Sequence, residues 1–194
     1  MNEASNKLQE EVRKNKKRVR DRNRRFSKLS PANKRISIAK DVIKQLNVEK
    51  FTAQTGMYFR INVPLNIQNE DLSFEISKAD SCNVCALGAL FSSCVLKNNH
   101  FKLNENTYKY NDYYTNKTVT TLFKDDLTSY LKPYFSIMQL CMIEDSFECE
   151  HLNDVCSSKL SKKCISFGRK FPDAKDRMVA IMQNIIDNNG KFVP

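Results

Sequence analysis

The chain has 194 residues, seven cysteines, no tryptophan and a formal net charge of +10. That length gives room for one domain with a sizeable core and leaves too little for a second full domain. No apolar run approaches the roughly eighteen residues of a membrane span, and Met1-Asn2-Glu3-Ala4 lacks the apolar core of a secretory signal, so the composition excludes a membrane partner and predicts a cytoplasmic protein with reduced thiols.

The charge is unevenly placed. Residues 1–40 hold fourteen Lys or Arg against four acids, which leaves eighteen of each sign in residues 41–194. The cations concentrate at Arg13, Lys14, Lys16, Lys17, Arg18, Arg20, Arg22, Arg24, Arg25 and Lys28, with Leu8, Val12, Val19 and Phe26 as the apolar positions of residues 7–28. So dense a like-charge run repels itself and buries too little surface to fold alone. It reads as a basic N-terminal arm, residues 1–30, ordered by an anionic partner. The expected partner is nucleic acid, RNA or DNA, or an acidic protein surface; Arg predominates, and its planar fork suits phosphate.

Residues 31–194 read as a single, mainly helical globular domain. Ser30-Pro31 supplies an N-cap and a first-turn proline, and Ile36, Ala39, Ile43 and Leu46 recur at helical spacing over about 31–47. Lys44 and Gln45 fall on the polar side, with no special role. Met57 to Val63, stopped by Pro64, predicts a short strand. The alternation of Leu72, Phe74 and Ile76 predicts a second, and together they would make a small β-ribbon.

Cys82-Asn83-Val84-Cys85-Ala86-Leu87-Gly88-Ala89-Leu90 then opens a helix predicted to start at Ser81 or Cys82 and to run to about Lys97, buried on nearly all sides. Cys82, Cys85, Gly88, Ala89 and Leu90 form its structural core motif. Tyr108 to Tyr114 reads as an Asn- and Tyr-rich connection whose tyrosines could stack bases or cover a core edge. Three further helices are predicted: Lys124 to Leu131, Ser136 to Glu148, and about 174–188, with Asp173 as its N-cap, Gly190 as its C-terminal stop and Phe192 folding back. A fourth covers about Lys159 to Lys170. Glu144, Asp145, Glu148 and Glu150 are expected on a solvated face.

Two chemical readings of the thiols were weighed against packing. Cys82 and Cys85 have the spacing of half a zinc site, for which Cys149, His151, Cys156 and Cys164 could supply the rest, but no second Cys-x-x-Cys exists. Cys85 at a helix N-terminus could be a nucleophile with His100 or His151 as base and Asn99, Asn153 or Asp154 orienting it. Four glycines, none in a phosphate-cradling pattern, give no nucleotide loop. The expectation is packing, with no catalytic residue, no metal and no cofactor.

Three segments together, 41–46, 82–90 and 177–192, resemble a family of small proteins of tailed bacteriophages and some bacteria. The motif that carries the resemblance stands here as Cys82-x-Val84-Cys85-Ala86-x-Gly88-Ala89-Leu90, and the likeness covers roughly residues 34–194. It implies a phage origin and transfers no catalytic residue. The basic arm departs from the family pattern. The expectation is therefore a non-enzymatic phage protein of the host cytoplasm whose arm binds nucleic acid or a ribonucleoprotein surface. The alternatives are a virion component anchored by that arm and an inhibitor of a host defence or transcription protein.

Overall fold

In the computed structural model, the described residues are Lys17, 19–64, 72–79, 82–98, 101, 108–112, 114–115, 117–151 and 155–194. They form an α+β fold of helices around a small five-stranded sheet. Residues 19–27 are helical (α1). There follow α2 (Pro31–Asn47), β1 (Phe51–Ala53), β2 (Phe59–Pro64), α3 (Leu72–Lys78), β3 (Cys82–Val84) and α4 (Ala86–Asn98). The remainder is β4 (Tyr108–Asp112), β5 (Lys117–Leu122), α5 (Lys124–Leu131), α6 (Ile137–Glu148), α7 (Ser158–Gly168) and α8 (Ala174–Asp187).

The sheet order is β1-β3-β2-β5-β4, with β1 and β3 parallel and the other pairs antiparallel. Strand β2 sends Phe59, Ile61 and Val63 inward in strict alternation. The central helix is α4, in which every side chain from Ala86 to Val95 is buried. It packs against α2, α3, α5 and α6 and against the short strands β1 and β3. The chain entering β2 also approaches α4 closely, because position 88 is glycine: a Cβ there would lie 1.7 Å from the Tyr58 carbonyl oxygen.

The capping signals act where the sequence places them. Ser30, Ser136 and Asp173 accept from the backbone N–H groups of Asn33, Gln139 and Asp176. Gln139 does more: its side chain donates to the Phe192 carbonyl at 3.1 Å and accepts from the Phe192 N–H at 2.6 Å. Phe192 is thereby seated in the core with no exposed surface, after Gly190 turns the chain at φ +82°.

Four expectations need correction. Residues 72–78 are helix, because Leu72, Glu75 and Ile76 bury one helical face while Phe74 points outward. Cys82 does not begin the central helix. It lies on β3, held between β1 and β2, and Cys85 bridges the strand to α4 by donating its N–H to the Met57 carbonyl at 2.8 Å. The Tyr-rich connection is the hairpin β4–β5, whose Thr118 and Thr120 are fully buried. Finally, α6 buries Glu144 and Asp145 to 1% and 0% exposure, where a solvated acidic face was predicted.

Candidate nucleic-acid interface

Of the predicted contact residues, Arg13, Lys14, Lys16 and Arg18 lie outside the described residues. Lys17, Arg20, Arg22, Arg24, Arg25 and Lys28 are described, all with exposed side chains. Helix α1 sets them out around one anchored face. Phe26 is 4% exposed and packs on Tyr134 with ring centroids 6.0 Å apart. Asn23 donates to the Asn98 carbonyl at 3.2 Å, and Asn98 donates in turn to the Tyr134 hydroxyl at 2.9 Å. Because Val19, Asn23 and Phe26 fall at helical spacing on one side, the arginines between them are turned toward solvent.

Docked this way, α1 leaves a crease against α2 and the last turn of α4. Three hollows that share lining residues run along it, the two largest holding about 590 and 460 Å³, and a fourth, lined by Asp21, Arg24, Arg25 and Lys28 alone, lies on the outer side of α1. Arg22 and Arg25 line it from α1, Lys40 and Lys44 from α2, and Lys97 from α4. The acids along it are Asp21 and Asp41. Asp41 is engaged from within the crease: Lys97 Nζ lies 3.6 Å from its Oδ1. Neighbouring atoms partly desolvate the Arg22 guanidinium and lower its pKa, a shift the Asp41 carboxylate opposes. The side chains of Arg24, Arg25, Lys28, Lys40 and Lys44 make no hydrogen bond or ion pair among the described residues.

Lys40 and Lys97 are not candidate contacts in the sequence, where Lys44 is given no special role. Their signal was weak: Lys40 and Lys44 are four apart on the polar side of α2 and therefore share a face, but only the docking of α1 shows that this face is the far wall of a groove. Tyr110 and Tyr114 are exposed on β4 and its turn, which contribute nothing to the lining of the crease.

The cysteine motif is interior. Cys82, Cys85, Ala89 and Leu90 have no exposed surface, and Gly88 is buried with them. Burial pushes the Cys82 and Cys85 thiols up to about 12, so both are protonated at neutral pH. Helix-end amides of Leu87 and Gly88 do lower the Cys85 value, as a nucleophile would require, but desolvation outweighs them. Of the two proposed bases, only His151 is among the described residues. His100, Asn99, Asn153 and Asp154 lie outside the described residues. His151 instead shares a hydrogen bond of 2.7 Å with Ser161 Oγ, which donates to Asp145 Oδ2 at 2.7 Å. Since the one hydroxyl proton goes to Asp145, His151 Nδ1 is the donor to Ser161. This places a buried serine between acid and histidine, tying α6 to α7 and to the segment between them.

Among the described residues no group of three or more His, Cys, Asp or Glu is arranged to hold a metal ion, and no helix is long and apolar enough to cross a membrane. Compared with known proteins, the chain matches no family model, no curated relative and no solved structure.

Proposed function

We propose that the chain is a non-enzymatic bacteriophage protein that binds nucleic acid through its basic N-terminal arm and the exposed cations of α1. The observation that carries this reading is the segregation of charge: the full excess of +10 lies in residues 1–40, and Arg24, Arg25 and Lys28, at the C-terminal end of α1, have no carboxylate partner among the described residues. Cations left unpaired on a surface lose little on meeting phosphate, and each contact releases condensed counterions. A binding role also agrees with the state of Cys85, buried and protonated, with His151 engaged elsewhere. The phage assignment rests on the motif from Cys82 to Leu90 and the segment 177–192.

The test is a binding isotherm for labelled single-stranded RNA, single-stranded DNA and duplex DNA, repeated over a range of salt. The variant R18Q/R20Q/R24Q/R25Q is expected to flatten the slope of log Kobs against log salt by about 3. Parent protein that binds none of the three, or binds them with no salt dependence, overturns the reading. So does tighter binding to poly-glutamate than to any nucleic acid.

A further inference from the structure

We infer that the crease between α1, α2 and the end of α4 is a track for the phosphate backbone, so that the folded domain itself, and not the arm alone, grips the nucleic acid. The inference rests on the reading of the arm and extends it to residues outside the arm.

Three observations support the track. The first is continuity: the hollow lined by Arg22 and Lys97 adjoins one lined by Arg24, Arg25 and Lys28 and another lined by Lys40, Lys44 and Lys97. Cations from three elements, α1, α2 and α4, therefore face one crease. The second is availability. Cations that hold the fold together are engaged by carbonyls: Arg35 donates to Gly190 and Tyr134, Arg177 to Phe171, Phe147 and Pro172, and Lys50 to Ser77 and Ala79. Lys40 and Lys44 are exposed and have no such duty. The third is electrostatic asymmetry. Asp41, the acid nearest the middle of the crease, has a buried Oδ2 without a hydrogen-bond partner, and both Lys97 and Arg22 sit beside it. Its charge offsets part of the positive potential and sets the resting strength of the site.

The lining also defines how the ligand is read. Phe26, the aromatic residue of the crease, is 4% exposed and turned against Tyr134, so no ring is presented for bases to stack on. Contacts from Lys and Arg ends to phosphate position the ligand without reading sequence. The track thus takes a sugar–phosphate backbone of any sequence, and the arms of the experiment decide between RNA and DNA and between single strand and duplex.

The experiment uses the full chain with the arm intact. K40Q/K44Q removes two exposed charges and is expected to weaken binding about tenfold near physiological salt and to reduce the salt slope by about 1.5, with an unchanged melting temperature. D41N is expected to act oppositely and tighten binding several-fold, a change that simple loss of structure cannot produce. K159Q/K163Q, which removes two exposed charges from α7, should change affinity less than twofold. If K40Q/K44Q binds like the parent, or no more weakly than K159Q/K163Q, the track is wrong while the arm reading stands. If the parent itself binds no nucleic acid, both fall together.

Discussion

The carboxylates facing the interior and the cations of the α1–α2 crease are handled in opposite ways. Glu75, Glu144 and Asp145 have at most 1% of their surface exposed, and each is held: Glu75 by Lys109 at 2.6 Å and by Thr120, Glu144 by Lys124 and by the Tyr58 hydroxyl at 2.7 Å each, Asp145 by Ser161. Arg24, Arg25, Lys28, Lys40 and Lys44 are exposed and unpaired among the described residues. A buried charge without a partner costs several kcal/mol, whereas an exposed one costs almost nothing. Positions on the first kind of site are therefore fixed by stability. Those on the second are free for function, and substitutions should separate the two.

The largest effect belongs to the interior. Gly88→Ala drives a methyl into the Tyr58 carbonyl and is expected to cost about 3 kcal/mol or more, or to prevent folding; urea denaturation measures it. Lys124→Ala strips Glu144 of its cation but leaves the Tyr58 hydroxyl and an opening to water, so a loss of about 2 kcal/mol is expected by the same method. Cys85→Ser places a hydroxyl in a fully buried site and should cost about 1 to 3 kcal/mol.

The thiols also give a pH prediction. Burial raises Cys82, Cys85 and Cys94 to about 12 and Cys156 and Cys164 to about 11. An unfolded thiol titrates near pH 8.5. These groups therefore contribute stability in full below about pH 8.5 and lose it as pH climbs toward their folded values. The melting temperature should fall steeply, by tens of degrees, between pH 8.5 and 11, and a constant value over that range would show the thiols to be solvated. The smallest effect is on the other side of the comparison: K40Q/K44Q should change stability by less than about 0.5 kcal/mol per site.

Legibility in the sequence divided along the same line. The helices with strong local punctuation were readable, because Ser30-Pro31, Ser136, Asp173 and Gly190 act through neighbours a few residues away. What failed depended on distant partners. Three residues from Cys82 to Val84 become a strand only because Phe51–Ala53 and Phe59–Ile61 flank them. The alternation of Leu72, Phe74 and Ile76 mimicked a strand, and Glu75 could not be recognised as interior before Lys109 and Thr120 were known to face it. Glu144 was assigned to solvent for the same reason, its Tyr58 partner lying 86 residues away. In the arm, Val19 and Phe26 stand seven residues apart, a helical-face spacing that is visible in hindsight, yet only contact with Tyr134 distinguishes a docked helix from a frayed one. The cations of α1 were thus legible by composition and those of α2 were not, since Lys40 and Lys44 acquire their setting from the helix laid beside them.

The central claim is that phosphate occupies that setting. Lysine acetylation read by mass spectrometry, with and without saturating duplex DNA or single-stranded RNA, tests it residue by residue. Lys28, Lys40 and Lys44 should be strongly protected by bound nucleic acid while Lys159, Lys162 and Lys163 on α7 remain as reactive as in the free protein. Equal reactivity of Lys40 and Lys44 in the free and saturated protein would contradict it.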